Sequence, residues 1–133
     1  MAYSFEDYYK KSKNKLSKEL IAAIERGMKY SSKDYSKALE SREYFYNLFE
    51  EFFNDYYGIL SPCTQGEAPK DLSSTGSPEF CTIWSYLGMP SISLPIFTGS
   101  NNLPLGLQLI GQKLDDSRLM KIANWLLKKT NDK

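Results

Sequence analysis

Two rhythms of polar and apolar residues run along this chain, and one gives way to the other near residue 55. Up to that point apolar residues recur at three- and four-residue steps, the spacing that lines one face of an α-helix. Ser4 followed by Asp7 reads as a capping pair that opens a helix to about Lys13. A second helix is predicted over Ser17 to Arg26, with Leu20, Ile21 and Ile24 as its apolar stripe and Gly27 placed for a left-handed C-terminal cap. Ser31, with Asp34 in the capping-box position, predicts a longer third helix on which Tyr35, Leu39, Tyr46, Phe49 and Phe53 recur. Phe45 and Phe52 widen that stripe beyond what a lone exposed helix carries, so cover by other elements is expected.

The second rhythm is that of short strands. Gly58–Ser61 is a strand that Pro62 is expected to stop. Residues 63–76 are rich in Gly, Pro, Asp and Ser, which is loop chemistry. Pro78 favours the first turn of a helix with Phe80, Ile83, Trp84 and Leu87 on one side, and Gly88 ends it. Ser91–Phe97 and Leu105–Ile110 are near-continuous apolar runs, which suit strands covered on both faces. The turn-rich link from Thr98 to Asn102 is short enough to make them antiparallel neighbours. Asp115 or Asp116 caps a last helix, with Leu119, Ile122, Ala123 and Leu126 facing inward and Lys128 and Lys129 at its negative end.

The predicted fold class is α/β, three short strands with flanking helices. The chain reads as a single partial domain over 1–133, mainly helical over 1–54 and strand and helix over 55–133. A sheet of three strands buried on both faces is thin, so a larger sheet is expected to continue it.

Composition narrows the function classes. The chain has 133 residues and a net charge of +1, which leaves no basic footprint for nucleic acid. No apolar run approaches the ~20 residues of a membrane span, and Met1–Asp7 lacks the basic and apolar regions of a signal peptide, so a cytoplasmic location is expected. Cys63 and Cys81 are the two cysteines, without C-x-x-C spacing, and are expected to be reduced. The absence of histidine excludes a Ser-His-Asp or Cys-His nucleophile within this chain. It also removes the commonest zinc ligand, and neither metal nor cofactor is expected.

The order of motifs carries a resemblance. A strand ends in Pro62, then come Gly66-Glu67-Ala68-Pro69 and Ser74-Thr75-Gly76-Ser77-Pro78-Glu79-Phe80. Trp84, Leu87-Gly88-Met89-Pro90, Ser93-Leu94-Pro95, Leu103-Pro104-Leu105-Gly106-Leu107-Gln108-Leu109-Ile110-Gly111 and Asp115-Asp116 follow. This series resembles the C-terminal portion of amidase signature enzymes, which hydrolyse carboxylic amides. Leu16-Ser17, Glu25-Arg26-Gly27, Asp34-Tyr35 and Arg42 are similar to that family as well. Two positions depart from it: Tyr57 stands where many relatives carry Asp, and Cys81 where they often carry Asn.

The resemblance implies a larger mixed-sheet fold of which this is the closing part. It also implies a Ser-Ser-Lys catalytic relay in a Gly/Ser-rich segment that this chain lacks, so no catalytic residue is assigned here. The implied partner is an N-terminal amidase portion, in the same or a separate chain, and the implied substrate of the complete enzyme is a small amide. Ser73-Ser74-Thr75-Gly76-Ser77 with Lys70 nearby imitates the relay but lacks its flanking glycines and is read as a turn. Phe80 and Trp84, four apart on one helix face, are the candidate substrate-binding residues, lining the acyl side, against a reading as plain core.

Other positions have plainer readings. Cys81 is expected to be inert, Gln108 to hydrogen-bond a nearby loop, and Gly106 to permit close backbone packing. The Lys10–Lys18 cluster is a solvated helix face. A competing reading makes the chain a non-catalytic interaction module that docks on an amidase or on itself. Four large apolar side chains left exposed forgo roughly 6–12 kcal/mol, comparable to a domain's stability, so homo-oligomerisation of the isolated chain is expected.

Overall fold

The computed structural model describes residues 2–71 and 74–131, in two units, Met1–Ser41 and Arg42–Lys133. Helix α1 spans Ala2–Ser12 and is followed by a 3-10 turn over Lys13–Lys15. Ser4 therefore lies inside α1 instead of capping it. Helix α2 spans Lys18–Gly27, and the Ser17 hydroxyl accepts from the Leu20 N–H at 3.2 Å. Lys13 bridges α1 and α2: its Nζ donates to Glu25 Oε1 at 2.8 Å and to the Tyr9 hydroxyl at 2.7 Å. Gly27 is not the left-handed cap its position suggests. It is the last residue of α2, whose C-cap, Met28, is right-handed helical. The glycine is used for closeness, since a Cβ there would lie 2.9 Å from the Ala2 Cβ.

The capping box that opens α3 (Ser32–Glu50) is formed as predicted. The Asp34 N–H donates to Ser31 Oγ at 3.2 Å, and Asp34 Oδ2 accepts from the Ser31 N–H at 3.0 Å. The apolar stripe of α3 is only partly used. Tyr46 is buried and Phe49 packs beside it, but Tyr35 and Leu39 are exposed. Phe53 belongs to a separate short helix, α4 (Phe52–Asp55).

In the second unit β1 (Ile59–Pro62), β2 (Ser91–Thr98) and β3 (Pro104–Ile110) form one antiparallel sheet in the order β1-β3-β2. β1 ends at Pro62 as predicted, with the proline itself as its last residue, paired with Leu107 at the edge, where its missing N–H faces away from the ladder. The β2–β3 register runs from Ser91↔Ile110 to Thr98↔Pro104 and slips between Leu94 and Phe97, around Pro95. The connecting turn is closed by the Gly99 N–H on the Leu103 carbonyl at 2.9 Å and the Asn102 N–H on the Gly99 carbonyl at 3.1 Å.

Helix α5 (Glu79–Leu87) reaches the sheet through a left-handed Gly88, φ +70°. The Gly88 N–H donates to the Ser85 carbonyl and the Met89 N–H to the Trp84 carbonyl, a Schellman ending. Helix α6 (Asp116–Asn131) is capped by Asp115, whose Oδ1 accepts from the Arg118 N–H at 3.2 Å.

Helices cover both faces of the sheet. One face holds Ile110 and Ile59 with Tyr46, Phe53, Trp84, Leu87 and Met89. The other holds Leu109 and Leu94 with Leu119 and Ala123 of α6. Cover is incomplete along the outer strands, where Leu60 and Phe97 are each 54% exposed. Among the described residues no helix is long and apolar enough to cross a membrane.

Candidate functional site

Side chains alternate across a sheet, so Gly106, Gln108 and Ile110 share the face that carries Trp84 and Leu87. Along that face apolar packing at Ile110 gives way to polar groups. Gln108, 6% exposed, donates from Nε2 to Ser91 Oγ at 3.3 Å and lies 3.9 Å from Cys81 Sγ. Its partners come from β2 and α5 and not from a loop as predicted, and its Oε1 has no partner among the described residues. Next along β3, Gly106 has no space for a side chain: a Cβ would meet Ser93 Oγ at 2.6 Å and Cys63 Sγ at 2.7 Å. Across this bare position Cys63 Sγ and Ser93 Oγ meet at 3.0 Å.

Cys63 continues the line of β1 by one residue, its N–H donating to the Gly106 carbonyl at 3.1 Å. The chain then rises off the sheet and is tied down twice. Gln65 Nε2 donates to Glu79 Oε2 at 2.8 Å, at the start of α5. Glu67 reaches the β2–β3 turn, accepting from the Asn101 N–H at 2.8 Å, from the Asn101 side-chain amide and from the Leu103 N–H at 3.4 Å. The Asn101 amide, aided by those two backbone N–H groups, holds the Glu67 carboxyl below the usual carboxylate range.

Between this segment and the sheet lies a cleft of about 640 Å³. Cys63, Ser93 and Gly106 belong to its lining on the sheet side, and Gln65–Pro69 and Ser74–Ser77 to its lining on the loop side. Its lining mixes apolar residues (Ala68, Pro69, Pro95 and Pro104) with polar ones (Thr64, Gln65, Glu67 and Ser93). Both cysteines are free thiols, and the Cys81 S–H points to the Cys63 carbonyl at 3.6 Å. Among the described residues no group of three or more Cys, Asp or Glu side chains is arranged to hold a metal ion.

Ser73 lies outside the described residues, so the serine-rich string is seen from Ser74 onward. Ser74 Oγ accepts from the Gly76 N–H at 3.1 Å, and Gly76 is left-handed at φ +86°. That is the geometry of a turn. Trp84 is 9% exposed and meets the Phe49 ring edge-on at 5.5 Å. Phe80 is half-buried one turn earlier on the same helix. Neither aromatic belongs to the lining of the cleft. Glu67 and Ser93 do, and sequence reasoning gave neither a role. Their partners lie about thirty residues away, and no local pattern marks such pairs.

Comparison with known proteins places this arrangement. The family model described as Amidase matches residues 2–120. The chain is 32% identical over 108 residues to the A-type subunit of the mitochondrial glutamyl-tRNA(Gln) amidotransferase of Anopheles gambiae, covering 74% of this chain and 22% of that protein. It is 36% identical over 97 residues to the A-type subunit of the glutamyl-tRNA(Gln) amidotransferase of Bacillus thuringiensis (strain Al Hakam), covering 68% of this chain and 20% of the relative. A solved amidase structure superposes on 96% of the chain with a TM-score of 0.84 at 25% identity, and the match takes in 32% of that structure. The chain thus spans about a fifth of the length of these relatives and about a third of the solved amidase. From its sequence and its fold alike, the chain belongs to the amidase family.

Proposed function

We propose that these 133 residues form the closing segment of an amide hydrolase, supplying sheet strands, outer helices and part of the substrate cleft. The observation that carries this reading is the cleft itself. Its lining on the sheet side includes Cys63, Ser93 and Gly106, its lining on the loop side comes from a tethered segment, and it occurs in a chain that superposes over 96% of its length on a solved amidase. The relatives named above are amidotransferase subunits and the solved structure is an amidase, so carboxamide chemistry is the level at which the activity is proposed.

In this reading the nucleophile, the base and the oxyanion donors come from an N-terminal amidase portion, in the same or a separate chain. Phe80 and Trp84, the candidates for the acyl side, lie outside the lining of this cleft, so in this reading they support it from behind, Trp84 as part of the core and Phe80 one turn earlier on α5. No cofactor is required, and a cytoplasmic setting belongs to the same proposal. The test is co-expression with an N-terminal amidase portion carrying the Ser-Ser-Lys relay, followed by hydrolysis of simple carboxamides. Activity that needs both parts supports the reading. Co-purification without turnover, under conditions where an intact amidase is active, overturns it in favour of a non-catalytic docking module.

A further inference from the structure

Glu67 stands out among the cleft residues because one side chain gathers a whole turn. Its carboxylate accepts from the backbone N–H groups of Asn101 and Leu103 and from the Asn101 side-chain amide, residues 34 and 36 positions later in the chain. Space for it is made by Gly99, where any Cβ would overlap the carboxylate. The turn is self-supporting, closed by its own Gly99–Leu103 and Asn102–Gly99 hydrogen bonds. The carboxylate is therefore not needed to form the turn. What it fixes is the cleft-lining segment to which Glu67 belongs.

The donors around it favour an anion. Several N–H groups converging on one point form a site for a negative oxygen. A neutral glutamine could keep this pattern only by presenting its oxygen to both backbone N–H groups and turning the Asn101 amide over, and it would lose the charge that strengthens each hydrogen bond.

We propose that Glu67 is a positioning residue, a latch that holds residues 63–69 against the β2–β3 turn and so sets the opening of the cleft to its carboxamide ligand. The latch stands on the geometry just given; its bearing on a carboxamide rests on the functional reading above.

The two thiols provide the test. Cys63 lines the cleft and Cys81, on α5, does not. In the 133-residue chain, alkylation of each thiol by iodoacetamide is followed by mass spectrometry at fixed pH. Glu67→Gln is expected to accelerate Cys63 roughly tenfold relative to Cys81, the factor that loss of one charge-assisted hydrogen bond produces. Equal acceleration of both thiols means general loosening and overturns the latch, as does no change in either. Should that variant fail to fold, Asn101→Ala keeps the carboxylate and both backbone donors. It is expected to give a smaller rise of about threefold, still selective for Cys63; a rise shared by Cys81, or none, overturns the proposal.

In the co-expressed assembly Glu67→Gln should raise KM more than it lowers kcat. Turnover with an unchanged KM removes the ligand role. Absence of turnover from every variant, the unsubstituted protein included, sinks the functional reading and leaves the thiol result to decide the latch.

Discussion

Leu109 and Ile110 are neighbours in β3, yet each is buried in a different cluster, on opposite faces of the sheet. Ile110 is fully buried with Trp84 and Leu87, and Leu109, 2% exposed, with Leu119 and Ala123. β3 is thus the shared wall of two cores, and truncation on either side is felt. Leu109→Ala and Ile110→Ala are each expected to cost about 2–5 kcal/mol. Denaturant titration checks this: the midpoint should fall with little change in slope.

Gly106→Ala tests the bare position on β3. The added Cβ would crowd Cys63 Sγ and Ser93 Oγ, so a loss of about 1–3 kcal/mol is expected. Combining it with Cys63→Ala should recover part of that loss, because the closest sulfur is then gone. A double-mutant cycle in urea measures the coupling, and strict additivity would show that the crowding is relieved elsewhere.

Carboxylates govern the acid side of the stability profile. Hydrogen bonds from Asn101 hold Glu67 below its ordinary value, the Lys113 ammonium does the same for Glu43, and Ser31 for Asp34. A carboxyl depressed in the folded state contributes fully above its unfolded pKa, and that contribution is lost as pH falls through the folded pKa. Thermal melts should therefore be level near neutrality and decline once the pH drops below about 4.3, the ordinary Glu value. Glu67→Gln should flatten part of that decline; an unchanged acid limb would exclude Glu67 as a contributor.

The purified chain by itself is expected not to hydrolyse carboxamides. Loss of a nucleophile or base alone costs a serine hydrolase about 10⁶ in turnover, and Ser74, the nearest imitation of a nucleophile, is committed to a turn with Gly76. Turnover of a simple aryl amide that disappears in Ser74→Ala would overturn this assignment.

Self-association is expected of the isolated chain. Leu48, Leu60, Phe97, Met120 and Trp125 are all more than half exposed, and β1 and β2 are the outer strands of the sheet. Sedimentation velocity across a concentration series should show a rising average mass. A monomer at every concentration that melts cooperatively would count against it.

Much of the fold was legible because its signals are local. The Ser31–Asp34 box, the helix stop at Gly88, an aspartate cap at 115 or 116 and the Thr98–Asn102 link each depend on residues within a few positions of one another. Readings failed where a distant contact overrode local preference. Gly27 is chosen for the closeness of Ala2 and not for a left-handed turn, and Ser4 lies inside α1 instead of capping it. The apolar run of β2 suggested cover on both faces, yet the strand bulges near Pro95 and leaves Phe97 exposed. The site was least legible. Its cleft depends on Cys63 meeting Ser93 and on Glu67 meeting Asn101, pairs 30 and 34 residues apart that no periodicity encodes.

The Cys63–Ser93 contact has a mechanical side. The outer strands of a three-stranded sheet ordinarily sense each other only through the hydrogen-bond ladders of the middle one. Here the missing side chain at Gly106 lets the continuation of β1 touch β2 directly, over the top of β3. Cys63 therefore connects the cleft segment to both other strands, to β3 through its backbone N–H and to β2 through its side chain. Cleft segment and hairpin are thus joined at a point besides the central ladder.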